Sequence, residues 1–303
     1  MSIRPTLETR AAVPTMEGAG VKLHRAFGFQ DPSELDPFLL FDDFRNENPE
    51  DYAKGFPWHP HRGIETITYV LDGTVAHADS LGNTGDLNAG DVQWMTAGSG
   101  ILHQEMPRGN ANGQMHGFQL WANLPGAMKM TAPRYQDVEA KDIPTVVDDD
   151  GTSVRVIVGD FWGKKGPVDG IAADPQYLDI SVPAGVRKTF KIDTYRRAFA
   201  YVFAGAGRFS DASAPSGVLL EKEVMGEELN IRDMSGNRTL IRFGSGDEVT
   251  VQAGDAGIRF LLISGAPIEE PVAWHGPIVM NTRAELRQAM MDLNNGTFIK
   301  PAH

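Results

Sequence analysis

Cysteine is absent from the 303 residues. That excludes disulfides, thiolate-bound zinc, iron–sulfur clusters and a cysteine nucleophile, and it restricts any protein-held metal to nitrogen and oxygen donors. No segment approaches the roughly 18 consecutive apolar residues that a membrane-crossing helix needs. The opening residues MSIRPTLETRAAVPTMEGAG carry no apolar stretch of signal-peptide length. A soluble, cytoplasmic protein with no membrane partner is the expectation. An excess of basic residues is missing as well: the formal net charge is −12, which argues against direct contact with the phosphate backbone of DNA or RNA. Histidine is distributed unevenly. Six of the eight lie before residue 117, and none falls between His116 and His275.

Helical periodicity is scarce, whereas 33 glycines and 19 prolines are scattered along the chain. Many short strands joined by tight turns fit that composition, and the length is about twice that of a typical domain. Asp36–Phe44 reads as a buried strand ending in acid. Ile64–Leu71 and Thr74–Ala78 flank the hairpin signal Asp72-Gly73, and Val92–Thr96, Ile101–Met106 and Gln114–Leu124 read as further strands. Residues 125–144 read as a crossover. A second β-rich block runs from Ser153 to Gly265, with strands expected at Ser153–Val158, Tyr177–Val182, Arg187–Ile192, Ala198–Phe203, Leu219–Val224, Thr239–Phe243, Glu248–Val251 and Ile258–Ser264. Regular short strands of this kind indicate barrels or jelly rolls. One helix is expected near the end. Thr282 and Glu285 form a capping box, Leu286, Ala289, Met290 and Leu293 repeat at helical spacing, and Gly296 can stop it. The pairs Tyr69–Gly73 with Tyr201–Gly205, and Asn88–Asp91 with Gln252–Asp255, suggest a duplicated unit.

The chemistry sits in the first block. His59, His61 and Glu65 are spaced by two and four, and His103 and Glu105 by two, so on strands each set shares a face. If both strands line one barrel, five imidazole or carboxylate donors converge, a set suited to Fe, Mn, Co, Ni, Cu or Zn. A single such pair is commonplace, but two pairs bracketing a glycine-rich hairpin are much rarer by chance. The second block is a control: matching Tyr201 to Tyr69 places Lys191, Asp193 and Arg197 where the first block has His59, His61 and Glu65, a set that cannot build the same centre. Parity alone leaves open whether Glu65 or Glu105 completes the metal site. His116 reads as a core histidine with a pocket role as the alternative. Asp42 is a strand-end acid that could orient a ligand or meet substrate, and Phe56 and Arg62 flank the first pair and could line the mouth. His275 reads as a tie for the C-terminal segment, and His24, His77 and His303 as solvated.

The stretches DPFLLFDDF (36–44), HPHRGIETITY (59–69), GDVQWMTAGSGILHQEMP (90–107), HGFQLWANLP (116–125) and HGPIVMNT (275–282) resemble the pirin family of the bicupin group. The resemblance implies an all-β protein of two stacked cupin (jelly-roll) barrels with a C-terminal helix. Residues 1–135 would form the metal-binding barrel. Residues 136–303 would form a metal-free barrel plus the terminal helix, packing back on the first domain. It also implies one divalent ion, Fe(II) first among the candidates, on His59, His61, His103 and Glu105. Glu65 would then be a neighbour of the centre rather than a ligand. Four protein ligands on an ion that prefers six would leave two adjacent positions open. Some pirins resemble flavonol 2,3-dioxygenases of the quercetin type, in which Glu105 would take the proton of the flavonol 3-hydroxyl and apolar walls would hold the rings. The other function that the resemblance implies is a metal- and redox-sensing regulator that binds a protein partner.

Overall fold

The computed structural model describes residues 2–29, 32–209 and 234–300. Two compact units are built from interleaved segments. One comprises Val13–Ile143, Gly170–Ala173 and Ile268–His303, the other Met1–Ala12, Pro144–Asp169 and Asp174–Pro267. The fold is mostly β, as the composition suggests, with one α-helix among the described residues. No described helix is long and apolar enough to cross a membrane.

The histidine-bearing unit is a jelly roll of two antiparallel sheets. The larger runs in the order Arg134–Val138, Val92–Thr96, Ile64–Asp72, His116–Asn123, Phe38–Asp43, Val21–Phe27 and Val13–Glu17. The smaller runs Phe56–His61, Ile101–Arg108, Thr74–Asp79 and Thr84–Leu87. Apolar residues such as Val21, Leu23, Val70, Val75 and Met115 fill one part of the interior, and Leu39, Ile64, Met95 and Ile101 another. The expected crossover at 125–144 contains the edge strand Arg134–Val138, which alternates poorly in sequence because only Val138 is fully buried.

Gly63 explains how the chain leaves the small sheet after His61 and enters the large one at Ile64. Its φ is +77°, and a Cβ there would stand 1.9 Å from the Val279 carbonyl oxygen. Only glycine allows that left-handed turn and close approach together. Lys129 fixes the same corner, donating to the carbonyls of Gly63 (2.8 Å) and Val279 (3.1 Å) and to Asn123 Oδ1 (2.7 Å).

The segment after residue 268 completes this unit. A short hairpin, Ala273–His275 with Ile278–Met280, precedes the helix Arg283–Asn294. Thr282 Oγ1 accepts from the Glu285 amide (3.2 Å) while Glu285 Oε2 accepts from the Thr282 amide (2.8 Å), the expected reciprocal cap. Gly296 follows with φ +71°. Ala289, Leu286, Met290 and Leu293 pack with Ile278, Met280 and Phe298. His275 is exposed and ties nothing down by its side chain. Arg62 does that instead, from beneath the helix: it donates to Asp292 Oδ2 and the Phe298 carbonyl, both at 2.8 Å, with its guanidinium 4.1 Å from the Phe298 ring centroid.

Among the described residues, the other unit is built around a nine-stranded antiparallel sheet. The expected pair Glu248–Val251 and Ile258–Ser264 is one strand, Glu248–Gly265, and Arg197–Phe209 runs past its expected end. Register shifts between Val202 and Ala204 and between Gly205 and Gly207 absorb the bends, which is why turn-like glycines do not end the strands. The expected strand Leu219–Val224 lies outside the described residues. Phe190, Phe209 and Phe260 meet inside at centroid distances of 5.3–5.9 Å, surrounded by Val202, Ile180 and Leu262. Lys191 and Asp193 are exposed and Arg197 is half-buried.

Candidate metal centre

In the small sheet, His103 lies directly opposite His59 on one side and Asp79 on the other, and Glu105 lies opposite Phe56 and His77. Paired residues of neighbouring strands share a face, so register, beyond the two-residue spacing, brings His103 to His59 and His61. His59 Nε2 stands 3.0 Å from His61 Nε2 and 2.9 Å from His103 Nε2. The donor atoms of the three lie within 4.8 Å of one another.

The protons on these rings follow from their partners. His59 Nδ1 is 2.9 Å from the Pro57 carbonyl oxygen and His61 Nδ1 is 3.2 Å from that of Pro277. A carbonyl can only accept, so each Nδ1 carries the hydrogen and each Nε2 presents a lone pair. Burial pushes all three imidazoles toward the neutral form, His61 and His103 strongly. The bare Nε2 atoms of His59 and His61 stand 3.0 Å apart and repel unless something positive sits between them. A divalent ion meets that need, and backbone carbonyls on the remote nitrogens are the usual way a ligating histidine is oriented. The nitrogen set fits a borderline transition ion such as Fe, Co, Ni, Cu or Zn.

The cluster opens on a cavity of about 380 Å³ whose walls include His59, His61, Glu105, Phe56, Trp121 and Asp42. The Trp121 ring meets that of His61 edge-on at 5.1 Å. Glu105 is buried, and its Oε1 lies 3.0 Å from Thr68 Oγ1, which is also 2.6 Å from Gln119 Oε1. A hydroxyl has one proton, so Thr68 donates to the carboxylate and the Gln119 amide, turned to present its NH₂, donates to Thr68. Burial raises the Glu105 carboxyl to about 7 against that hydrogen bond.

A polar line crosses the large sheet at this level. Arg25, Asp42, Gln119, Thr68, Gln93 and Asp137 are successive register partners on six neighbouring strands. Arg25 clamps Asp42 at 2.8 and 2.7 Å and reaches Glu17 at 2.9 Å, and Gln93 donates to Asp137 at 2.9 Å. Burial lifts Asp42 to about 6, with Arg25 opposing.

The candidate residues read from the sequence therefore separate. His59, His61 and His103 form the cluster, and Glu105, Asp42 and Phe56 share its cavity. Glu65 does not line it. The turn at Gly63 resets the alternation, so Thr68 points inward and Glu65, an odd number of residues away, points to the other face. There it accepts from Thr96 Oγ1 at 2.7 Å. Arg62 is withdrawn to the helix anchor. His116 is off the cavity, 3.8 Å from Asp43 Oδ1 and edge-on to Phe118. His77, expected in solvent, is buried, with its ring 5.6 Å from that of His103. The signal was available: Val75, His77 and Asp79 alternate on one face of their strand, and all three are buried. His24 is half-buried opposite Asp43, and His303 lies outside the described residues. Arg25, Thr68 and Pro277 were missed because each is a lone residue in its own segment, and Gln119 and Trp121, which share the strand His116–Asn123 at two-residue spacing, because neither is a metal-ligating type.

Comparison with known proteins gives a consistent answer. The profile described as Pirin matches residues 20–122, and that described as Pirin C-terminal cupin domain matches residues 177–299. A pirin-like protein of Caulobacter vibrioides is 43% identical over 302 residues, covering 98% of this chain and 100% of its own. Human pirin is 39% identical over 281 residues, 92% of this chain and 88% of its own. The crystal structure of quercetin 2,3-dioxygenase from Acinetobacter baumannii superposes with a TM-score of 0.83 at 31% identity, covering 98% of this chain and 99% of that one.

Proposed function

The chain belongs to the pirin family, and on that premise we propose that it is a metal-dependent dioxygenase that opens the central ring of flavonols, consuming dioxygen and releasing carbon monoxide. The observation that carries this reading is the convergence of three imidazoles, with His59 and His61 on the wall of an aromatic-lined cavity that also holds a buried carboxylate. The likeness to a quercetin 2,3-dioxygenase structure across nearly the whole chain supports the reaction class.

His59, His61, His103 and Glu105 would hold one divalent ion, iron(II) being the first candidate. When bound it would supply Lewis acidity toward the flavonol oxygens and one-electron chemistry toward dioxygen. The chain's own residues do the rest. Phe56 and Trp121 take the flat rings against apolar surface, in a cavity within the roughly 300–1,000 Å³ of small-molecule sites. Glu105 takes the proton from the 3-hydroxyl, a role for which a carboxylate in a water-poor site is a stronger base than one in solvent. Thr68, backed by Gln119, orients the carboxylate so that its remaining lone pairs face the cavity. The backbone carbonyls of Pro57 and Pro277 keep two imidazoles in the tautomer the centre requires.

The test is reconstitution of metal-free protein with Fe(II) under anaerobic conditions, followed by quercetin and dioxygen. Carbon monoxide release and quercetin loss well above free Fe(II) in buffer are expected. Glu105→Gln should retain metal and flavonol yet turn over slowly, with partial recovery as solvent base increases. Wild-type protein loaded with one ion and no faster than free metal would overturn the reading. The regulator function would then be tested by comparing partner capture by the Fe(II) and Fe(III) forms.

A further inference from the structure

The wall of the cavity away from the histidines carries a charged pair that the chemistry above does not use. Asp42 is only 5% exposed, among Leu40, Phe44 and Leu23. Arg25 donates to both of its oxygens, through Nε to Oδ1 and through Nη2 to Oδ2. Arg25 is itself held by Glu17 and lies 5.0 Å from the Phe29 ring centroid. An ion pair under an apolar wall is costly to desolvate, and a leucine-sized pair would fill the same space. Its geometry leaves something to offer a ligand: each carboxylate oxygen still has a lone pair after accepting one bond, and the guanidinium fixes where those lone pairs point.

Register sets the distance from this pair to the reacting end. Asp42 is opposite Gln119, and Gln119 is opposite Thr68, the residue that holds Glu105. Asp42 therefore stands two strand spacings from Thr68, about 9–10 Å along the rung. A ligand that engages both ends must be flat and polar at each extremity, with its middle passing Gln119, a span that a three-ring flavonol covers. We propose that Asp42, locked by Arg25, is the specificity-determining residue of this cavity and accepts a hydrogen bond from a phenolic hydroxyl on the pendant ring of the flavonol. The substrate class narrows from flavonols in general to those hydroxylated on that ring. This rests on the dioxygenase reading, and it concerns which flavonol is held rather than what is done to it.

Binding tests it without turnover. The chain is loaded with Zn(II), which does not cycle its oxidation state, and titrated anaerobically with quercetin and with galangin. Galangin is the same flavonol lacking the pendant-ring hydroxyls. Wild type is expected to bind quercetin about tenfold or more tightly, the size of one hydrogen bond to a charged acceptor. Asp42→Asn should bring the ratio close to one by weakening quercetin while galangin is unchanged. Asp42→Glu, which keeps the charge and displaces the oxygens, should fall between the two. Equal affinity of wild type for the two flavonols overturns the inference and leaves the dioxygenase reading standing. So does a quercetin preference that survives in Asp42→Asn. Failure to bind either flavonol overturns that reading and the inference with it.

Discussion

Replacing Arg62 by methionine isolates the coupling between the terminal helix and the histidine cluster. The substitution keeps a long apolar stem and removes two charged hydrogen bonds at 2.8 Å, to Asp292 and to the Phe298 carbonyl, and a cation–ring contact at 4.1 Å. Hydrogen bonds from a charged group contribute roughly 1.5–3 kcal/mol each, and a desolvated cation over an aromatic ring about 0.5–2 kcal/mol. The loss is reduced because Asp292 keeps Gln288 at 2.9 Å and Lys300 at 3.0 Å, so no carboxylate is stranded. A net local cost of about 3 kcal/mol follows, below the full penalty of a broken buried pair. At 1.4 kcal/mol per factor of ten, amide exchange in Arg283–Asn294 should accelerate about a hundredfold, while strands Ile64–Asp72 and His116–Asn123 should keep their protection. The same segment supplies the Pro277 carbonyl to His61 Nδ1 and bonds Val279 N to the Arg62 carbonyl. Metal affinity should therefore drop about tenfold, the lower end for loss of a ligand's outer hydrogen bond. Hydrogen exchange by mass spectrometry, together with a competitive chelator titration, reads both effects. Unchanged exchange in the helix, or faster exchange with unchanged metal retention, would refute the coupling.

Other outcomes follow from the same geometry. His61→Ala or His103→Ala should lose most bound metal, whereas Glu65→Gln, bonded to Thr96 on the far face of its sheet, should keep it. Elemental analysis after loading decides, and the reverse order would show the carboxylates to be misassigned. His77→Phe, ring for ring beside His103, should weaken metal retention more than His77→Gln; equal retention in both variants would show that the His77 ring nitrogens do not act on the centre. Asp292 is held well below the usual carboxylate range, chiefly by the Arg62 hydrogen bond. A depressed folded pKa stabilises above the unfolded value of about 4 and the benefit is lost as pH falls through the folded one. Between pH 6 and 3 the melting temperature of wild type should accordingly drop further than that of Asp292→Asn, and parallel curves would contradict the assignment. Phe260→Ala should cost about 3–5 kcal/mol in the other unit, since the ring is fully buried against Phe190 and Phe209. A denaturation midpoint like that of wild type would mean that the site collapses around the gap.

What the sequence made legible depends on the range of each signal. Strands with strong alternation or β-branched runs, such as Val92–Thr96, Ser153–Val158 and Thr239–Phe243, have the boundaries expected of them. The helix cap formed as read because all its atoms are local. His59, His61 and His103 were legible because two-residue spacing is itself local. The parity argument failed at Glu65, since it assumed one continuous strand from His59 while Gly63 turns the chain into a different sheet. The reading of Arg62 as a residue of the pocket mouth failed for a longer-range reason: its partners, Asp292 and Phe298, are more than two hundred residues away, and no pattern around Arg62 distinguishes a buried anchor from a residue at a pocket mouth.

The polar line from Arg25 to Asp137 shows the same limit from the other side. No single strand announces it, because each of six strands contributes one polar residue to it. Only the antiparallel register aligns them, and a one-residue slip in any strand would turn its member to the opposite face. Burial makes such a line costly unless its members have partners, and here Arg25 bonds Asp42, Thr68 lies between Gln119 and Glu105, and Gln93 bonds Asp137. The corresponding interior of the other unit is closed by Phe190, Phe209, Phe260, Val202 and Leu262, an arrangement that needs no partners and offers no donors. A change of Thr68 to valine would separate the two principles. It keeps the shape and removes the hydroxyl between Glu105 and Gln119, so Glu105 loses the Thr68 donor while packing is preserved. The fold should survive with a cost of about 1–3 kcal/mol for the unsatisfied carboxylate. Flavonol turnover should fall far more than flavonol binding, because the base is no longer aimed. A Thr68→Val protein with wild-type turnover would mean that Glu105 is positioned by the bound ion alone and that the polar line serves the fold rather than the site.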